Sequence, residues 1–249
     1  MNLKPLLRYQ LRDYAISCLS FFLVNVVILS FLALVISRNL PTYYSGYSLG
    51  CAIFLLISGL ILPRQVLRLG VQMGISRRTS FLSLLLTALL AALALALLGQ
   101  VLLTTALHLI PDQKELFITD LYSIFYLNNQ PPATLDQHGM TILLNTMGML
   151  ACFAGGFFFT TLFWRLGKLG TIIAAIAIPA LLVGGPWLLY FLQKPLAPVL
   201  RLLASFSQAL TTQPGTALAA FLIVTLLFTL VSWCLVRNTN IRSGILSSK

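Results

Sequence analysis

The sequence predicts an all-α membrane protein with six transmembrane helices, and three observations carry that reading. First, six stretches contain no Asp, Glu, Lys or Arg: Tyr14–Ser37, Asn39–Pro63, Thr79–Pro111, Gln137–Trp164, Leu169–Gln193 and Leu202–Val236. Each is at least 24 residues long, and a spanning helix needs about 20 apolar residues to cross a ~30 Å hydrocarbon core. Second, 59% of the chain is hydrophobic, 8% is charged, and the mean hydropathy is +0.95. These values exclude an ordinary globular domain and a disordered chain. Third, the charges gather in short clusters between the apolar blocks, as expected where lipid is the solvent. Six spans and their loops use nearly all 249 residues, which leaves no room for a soluble catalytic domain.

The basic residues set the orientation. With the N-terminus in the cytoplasm, the inner segments hold Lys4, Arg8, Arg12, Arg64, Arg68, Arg77, Arg78, Arg165, Lys168, Arg237, Arg242 and Lys249. The outer segments hold only Arg38, Lys114, Lys194 and Arg201. Twelve against four follows the positive-inside rule and puts both termini in the cytoplasm. Four of the five acids, Asp112, Glu115, Asp120 and Asp136, fall in the second outer loop. The net charge of +11 is thus distributed by topology, and no aromatic-interleaved basic patch points to nucleic acid.

Taken in order, Lys4, Arg8 and Arg12 recur every four residues and form one basic stripe, predicting an amphipathic interfacial helix that lies in the headgroup plane before span 1 (14–37). A cleaved signal peptide is not expected, because the first apolar run exceeds a ~7–15-residue signal core. Span 2 covers 44–62. Pro63 and Gly70 then predict a break, a short cytoplasmic helix, a stop at Gly74 and an N-cap at Ser76 before span 3 (80–109). Residues 64–79 would form a rigid cytoplasmic elbow presenting Arg77 and Arg78 to a partner. The outer loop 111–140 contains the aromatic run Leu116–Tyr126, read as a helix on the outer interface, and a Pro131-Pro132 stop. Span 4 (141–164) carries Gly148, Gly155 and Gly156, which permit close helix approach. A tight basic hairpin over 165–170 leads to span 5 (171–192), where Pro179 and Pro186 predict a kink. In the outer loop 193–215, Leu196, Val199, Leu203, Phe206 and Leu210 make one apolar stripe, read as a re-entrant or surface helix before span 6 (216–236).

Several chemistries lack their residues. Cys18, Cys51, Cys152 and Cys234 all lie inside spans and read as packing side chains, not as a zinc site or disulfide framework. No carboxylate, Lys or Arg lies within a span, unlike a carboxylate-coupled carrier. The two histidines, His108 and His138, have no Glu at helical spacing for a metalloprotease, and no phosphate-binding loop of the Gly-x-x-x-x-Gly-Lys kind exists. The polar residues inside spans are few: Asn25, Gln100, Asn145, Thr146, Thr160 and Thr161. Interhelical hydrogen bonding accounts for such residues. The alternative is that Asn25, Gln100, Asn145 and Thr146 line a path for an amphipathic substrate.

The segment Gln72-Met73-Gly74-Ile75-Ser76-Arg77-Arg78-Thr79-Ser80-Phe81 resembles the Met-Gly-(Val/Ile)-Ser-Arg-(Arg/Lys)-Thr-x-Phe stretch at the start of the third span in permease subunits of exporter-type ABC transporters. The six-span layout is similar to that of the small bacterial type-two permeases of bacteriocin, antimicrobial-peptide or drug export and immunity. The resemblance implies a multi-pass protein of the bacterial cell membrane with no catalytic site and no cofactor of its own. ATP and Mg would be bound by a separate pair of ABC ATPase subunits. It also implies a second permease, as homodimer or heterodimer, and an amphipathic cargo moved through membrane lipid. By position, Gly74, Ser76, Arg77, Arg78 and Thr79 would couple to the ATPase, with Arg165 to Lys168 as a further contact and Lys4, Arg8 and Arg12 in the entry helix. The outer loop between spans 3 and 4 is longer than this fold requires. Two other classes compete: a membrane enzyme, for which no reactive cluster is visible, and a non-transporting immunity or sensor protein that binds a peptide at its outer loops.

Overall fold

The computed structural model describes the backbone of residues 3–36, 42–44, 47–109, 116–118, 120–128, 130–191, 208 and 210–237, with side chains over 7–31, 47–106, 120–128, 130–166, 208 and 210–237. The elements in chain order are α1 (Leu3–Ile36), β1 (Thr42–Tyr44), α2 (Tyr47–Gln72), α3 (Arg77–Leu109), β2 (Leu116–Ile118), α4 (Leu121–Tyr126), α5 (Leu135–Phe191) and α6 (Pro214–Arg237). Five segments, Leu7–Phe31, Tyr47–Gln72, Arg77–Ala106, Leu135–Leu166 and Pro214–Arg237, are helical, long and apolar enough to cross a membrane. Their outward faces carry exposed Leu23, Val27, Val101, Leu227 and Leu230, a surface that suits lipid and not water.

The contacts fix the directions of these helices. Tyr47 of α2 meets Leu95 and Gly99 of α3, and Gly70 meets Ser80, so α2 and α3 are antiparallel. Phe81 of α3 meets Phe157 of α5, and Gln100 meets His138, so these two are also antiparallel. Gly148 and Gly155 of α5 sit opposite Phe221 and Phe228 of α6, so α5 and α6 run parallel. Arg8, Arg12, Arg64, Arg68, Arg77, Arg78, Arg165 and Arg237 therefore gather at one end of the bundle. Asp120, Asp136 and His138 lie at the other.

Apolar side chains gain little by leaving lipid for a bundle core, so association in a membrane depends on close packing and interhelical hydrogen bonds. Both meet where α2 crosses α5. A Cβ on Gly59 would collide with the Phe153 carbonyl, and one on Gly156 with the Leu56 carbonyl. The two glycines let the backbones touch, and Cys51, Leu55, Phe153 and Phe157 close around the crossing fully buried. One turn further on, the Thr160 hydroxyl donates to the Leu60 carbonyl at 2.7 Å.

Several boundaries differ from those the sequence predicts. The N-terminal helix does not turn into span 1; α1 is continuous from Leu3 to Ile36. Its only proline, Pro5, lies in the first turn, where a missing N–H costs nothing. Gln10 and Tyr14 are buried, so this stretch packs on the bundle while Arg8 and Arg12 stay exposed. The break expected at Pro63 and Gly70 is also absent. Pro63 lies inside α2, where helix neighbours in a membrane bundle let proline be tolerated. The aromatic run 116–126 is not one helix. Leu116–Ile118 pairs in parallel with Thr42–Tyr44, and only Leu121–Tyr126 is helical. α5 continues through 165–170 to Phe191, where a hairpin turn and a separate fifth span are expected. No proline occurs between Trp164 and Ile178, and glycine alone does not force a helix to end. The predicted kink at Pro179–Pro186 falls where only helical backbone is described. The re-entrant helix over 193–215 lies almost wholly outside the described residues. α6 begins at Pro214, the first helical position that suits proline.

Candidate functional site

Two places concentrate polar chemistry, one at each end of the bundle. At the basic end, α2 stops by a Schellman motif. The Ile75 N–H donates to the Gly70 carbonyl at 2.8 Å and the Gly74 N–H to the Val71 carbonyl at 3.1 Å. Gly74 has φ +66°, a left-handed conformation that costs an L side chain about 1–2 kcal/mol. Two residues later Ser76 caps α3: its Oγ accepts the Thr79 N–H at 3.2 Å and lies 2.7 Å from Thr79 Oγ1. The corner between two long helices is thus only residues 73–76, closed at both sides by local hydrogen bonds. The stop at Gly74 and the cap at Ser76 stand where the sequence predicts them.

The arginines around this corner do different work. Arg77 is half-buried and donates to the carbonyls of Val236 and Arg237 at 3.5 and 3.3 Å, so it satisfies the C-terminal end of α6. Arg78 is exposed. Arg64 lies over the Trp164 ring at 5.8 Å, a cation–π contact that ties α2 to α5. Arg68 and Arg165 are exposed. The side chains of Lys4 and Lys168 lie outside the described residues. A polar seam joins α1 to α3 nearby: Gln10 Nε2 donates to Ser83 Oγ at 3.2 Å, and Thr87 Oγ1 donates to Gln10 Oε1 at 3.1 Å. The sequence pattern does not single out Gln10, because it sits between the arginines of the basic stripe.

At the opposite end the loop acid Asp120 is not on the surface. It is 5% exposed and wedged between α2 and α5. The Ser48 hydroxyl donates to its Oδ1, and the Asn145 amide donates to Oδ2 at 3.0 Å. Burial pushes the carboxyl above its ordinary range, and the hydrogen bonds from Ser48, Asn145 and the Leu121 backbone offset that only in part. Among the described residues no cation pairs with it. Asp120 also begins α4, whose Tyr122 and Ser123 are buried. The Tyr126 hydroxyl donates to the Leu210 carbonyl, fastening α4 to the segment before α6. Beneath α4 lies an apolar cavity of about 280 Å³ walled by Leu121, Phe125, Leu144, Ala217 and Phe221. Asp120 is the site residue that sequence reasoning misses. Its signal is weak: one acid just before an aromatic hexapeptide, with Ser48 and Asn145 distant in sequence.

The four residues read as a substrate path have separate partners. Asn25 Nδ2 donates to the Phe21 carbonyl at 2.9 Å, and Thr146 Oγ1 to the Ile142 carbonyl at 2.7 Å, both within their own helices. Asn145 holds Asp120, and Gln100 Nε2 lies 2.6 Å from His138 Nδ1. Two of the four thus make contacts between elements near the Asp120 end.

Comparison with protein-family models, with curated proteins and with solved structures finds no match for this chain. Its own long apolar helices, with lipid-suited faces outside, mark it as a helical, multi-pass membrane protein.

Proposed function

We propose that this chain is the permease subunit of an ATP-driven exporter-type transporter of the bacterial cell membrane. It would move an amphipathic peptide, lipid-like or drug substrate with energy from separate ATPase subunits. The observation that carries this reading is the corner at 73–76: two long helices meet through a Schellman stop and an N-cap, with exposed Arg68, Arg78 and Arg165 around them. A corner so closed can pass a push from a docked motor into α2 and α3 without bending. The positive-inside rule puts that end in the cytoplasm.

Six spans belong to the same proposal. α5 and α6 run parallel, so the chain between them has to recross the bundle. The charge-free stretch Leu169–Gln193 is long and apolar enough to do so. A helix of 57 residues is about 85 Å long, more than twice the hydrocarbon thickness. The proposal departs here from the continuous α5: a fold-back at Gly167–Gly170 would keep its second half in lipid.

The test is purification of the tagged chain from its native membrane, together with an ATPase assay. The proposal expects a soluble ATPase subunit to co-purify, and the double substitution Arg78→Glu with Arg165→Glu to abolish its substrate-stimulated hydrolysis while the bundle stays folded. Transport-competent, stimulated hydrolysis in that variant would contradict the coupling role. A second reading, a non-transporting immunity or sensor protein, is favoured by one observation: the apolar cavity under α4 at the outer end could receive a peptide side chain. Peptide binding at that end with no nucleotide dependence and no co-purifying ATPase would select it.

A further inference from the structure

We propose that the groove between α3 and α6 at the basic end is a binding site for an anionic phospholipid, with its phosphate on Arg78 and an acyl chain along the apolar walls. The inference depends on membrane insertion alone and stands or falls apart from the transporter reading.

The groove holds about 450 Å³ and is walled by Leu82 and Leu85 of α3 and by Leu226 and Leu230 of α6, with Arg78 and Trp233 at one end. It opens outward: Leu82 is 58% exposed and Leu230 60%. From Arg78 to Leu85, and from Leu226 to Trp233, is seven residues, so the apolar trough runs about 10 Å along each helix. A cation at the end of an outward-facing trough matches a phospholipid, whose charge and chain are arranged in the same order. A free anion would leave the leucines uncovered, and a fully apolar partner helix would strand the guanidinium.

Depth and charge agree with this occupant. Trp233 packs on Phe81 with ring centroids 5.0 Å apart, and Trp164 lies under Arg64 at the same end of the bundle. Tryptophan and arginine together mark the headgroup level of a bilayer. Arg78 has no hydrogen-bond or ion-pair partner among the described residues, and the first turn of α3 contains no acid. The positive end of the α3 dipole adds to the attraction for a phosphate. Asp13, an acid at this end, sits on α1. That helix packs through Gln10 on Ser83, two residues from Phe81 and so on the opposite face of α3. It does not neutralise Arg78.

Trp233 reports on the groove directly. The full-length chain carrying Trp164→Phe and Trp187→Phe, reconstituted in bilayers, leaves Trp233 as the sole tryptophan. Quenching is then compared between phosphatidylglycerol and phosphatidylcholine with identically brominated chains. The proposal expects about fivefold tighter association of the anionic lipid, the effect of one cation near an anionic headgroup. Arg78→Gln should bring the ratio to about one and Arg78→Lys should preserve most of it. Thr229→Phe, which fills the groove, should reduce quenching by both lipids. Equal quenching in the parent, or a ratio unchanged by Arg78→Gln, would overturn the proposal. So would a Trp233 quenched by neither lipid, which would mean that protein covers the groove. Should Arg78→Gln fail to insert, unchanged quenching in Thr229→Phe overturns it equally.

Discussion

The two ends of this bundle handle charge in opposite ways. At the basic end the arginines are mostly exposed, and the corner beneath them is built from hydrogen bonds between residues three to five apart. At the other end Asp120, the one buried carboxyl among the described residues, is held by residues 72 and 25 positions away. The first arrangement stabilises a shape and leaves charge available to a partner or a lipid. The second uses a charge-bearing group to fasten loop to bundle, at a desolvation cost that raises its pKa. One end is held by local caps; the other depends on the donors that Ser48 and Asn145 bring to Asp120 from distant elements.

The sharpest way to break that comparison is at the Asp120 end. Asn145→Ala removes the donor to Asp120 Oδ2 and leaves a buried acceptor unsatisfied, which should cost about 2–3 kcal/mol of unfolding free energy in detergent. A loss under 0.5 kcal/mol would show that Asp120 is not a fastening group. The same site has a signed pH dependence. Because the folded pKa is raised, the native state binds the proton more tightly than the unfolded chain. Stability should be highest below the unfolded carboxylate value of about 4 and fall as pH rises through the elevated folded value. Asp120→Asn should flatten that slope, measured as melting temperature against pH; an unchanged slope would assign it to another group.

At the basic end the effects should be smaller, because each contact is local. Gly74→Ala forces a side chain into the left-handed region and should cost about 1–2 kcal/mol. Ser76→Ala removes the cap of α3 and should cost about 1 kcal/mol, read from the same unfolding assay. Smallest of all, Arg78→Gln should change stability by less than about 0.5 kcal/mol, since the side chain is exposed. If Arg78→Gln costs as much as Asn145→Ala, the exposed arginine is structural and the contrast between the two ends is wrong.

The same contrast explains what could be read from the sequence. Gly74 and Ser76 were legible because Schellman stops and N-caps leave their residue types at fixed short spacings. Charge-free stretches are equally local signals: five of the six overlap a described helix long and apolar enough to cross a membrane, though with different bounds, and Gly156 does lie at a tight crossing. Whether Pro63 breaks α2 depends on how α5 packs against that helix, and no local pattern reports that. The extent of α1 was hidden for the same reason: Gln10 is buried against Ser83 and Thr87, more than 70 positions on. Asp120 is the extreme case. In the sequence it is one of four acids in an outer loop, and only the folded bundle sets it between Ser48 and Asn145.

Central to the proposed function is that the two ends lie on opposite sides of a bilayer, with the arginine corner inside. In a background lacking Cys18, Cys51, Cys152 and Cys234, single cysteines at Arg78 and at Asp136 can be probed in intact cells with a membrane-impermeant thiol reagent. The account expects the cysteine at 136 to label in intact cells and the cysteine at 78 to label only after permeabilisation. Labelling at 78 in intact cells, with 136 protected, would contradict it.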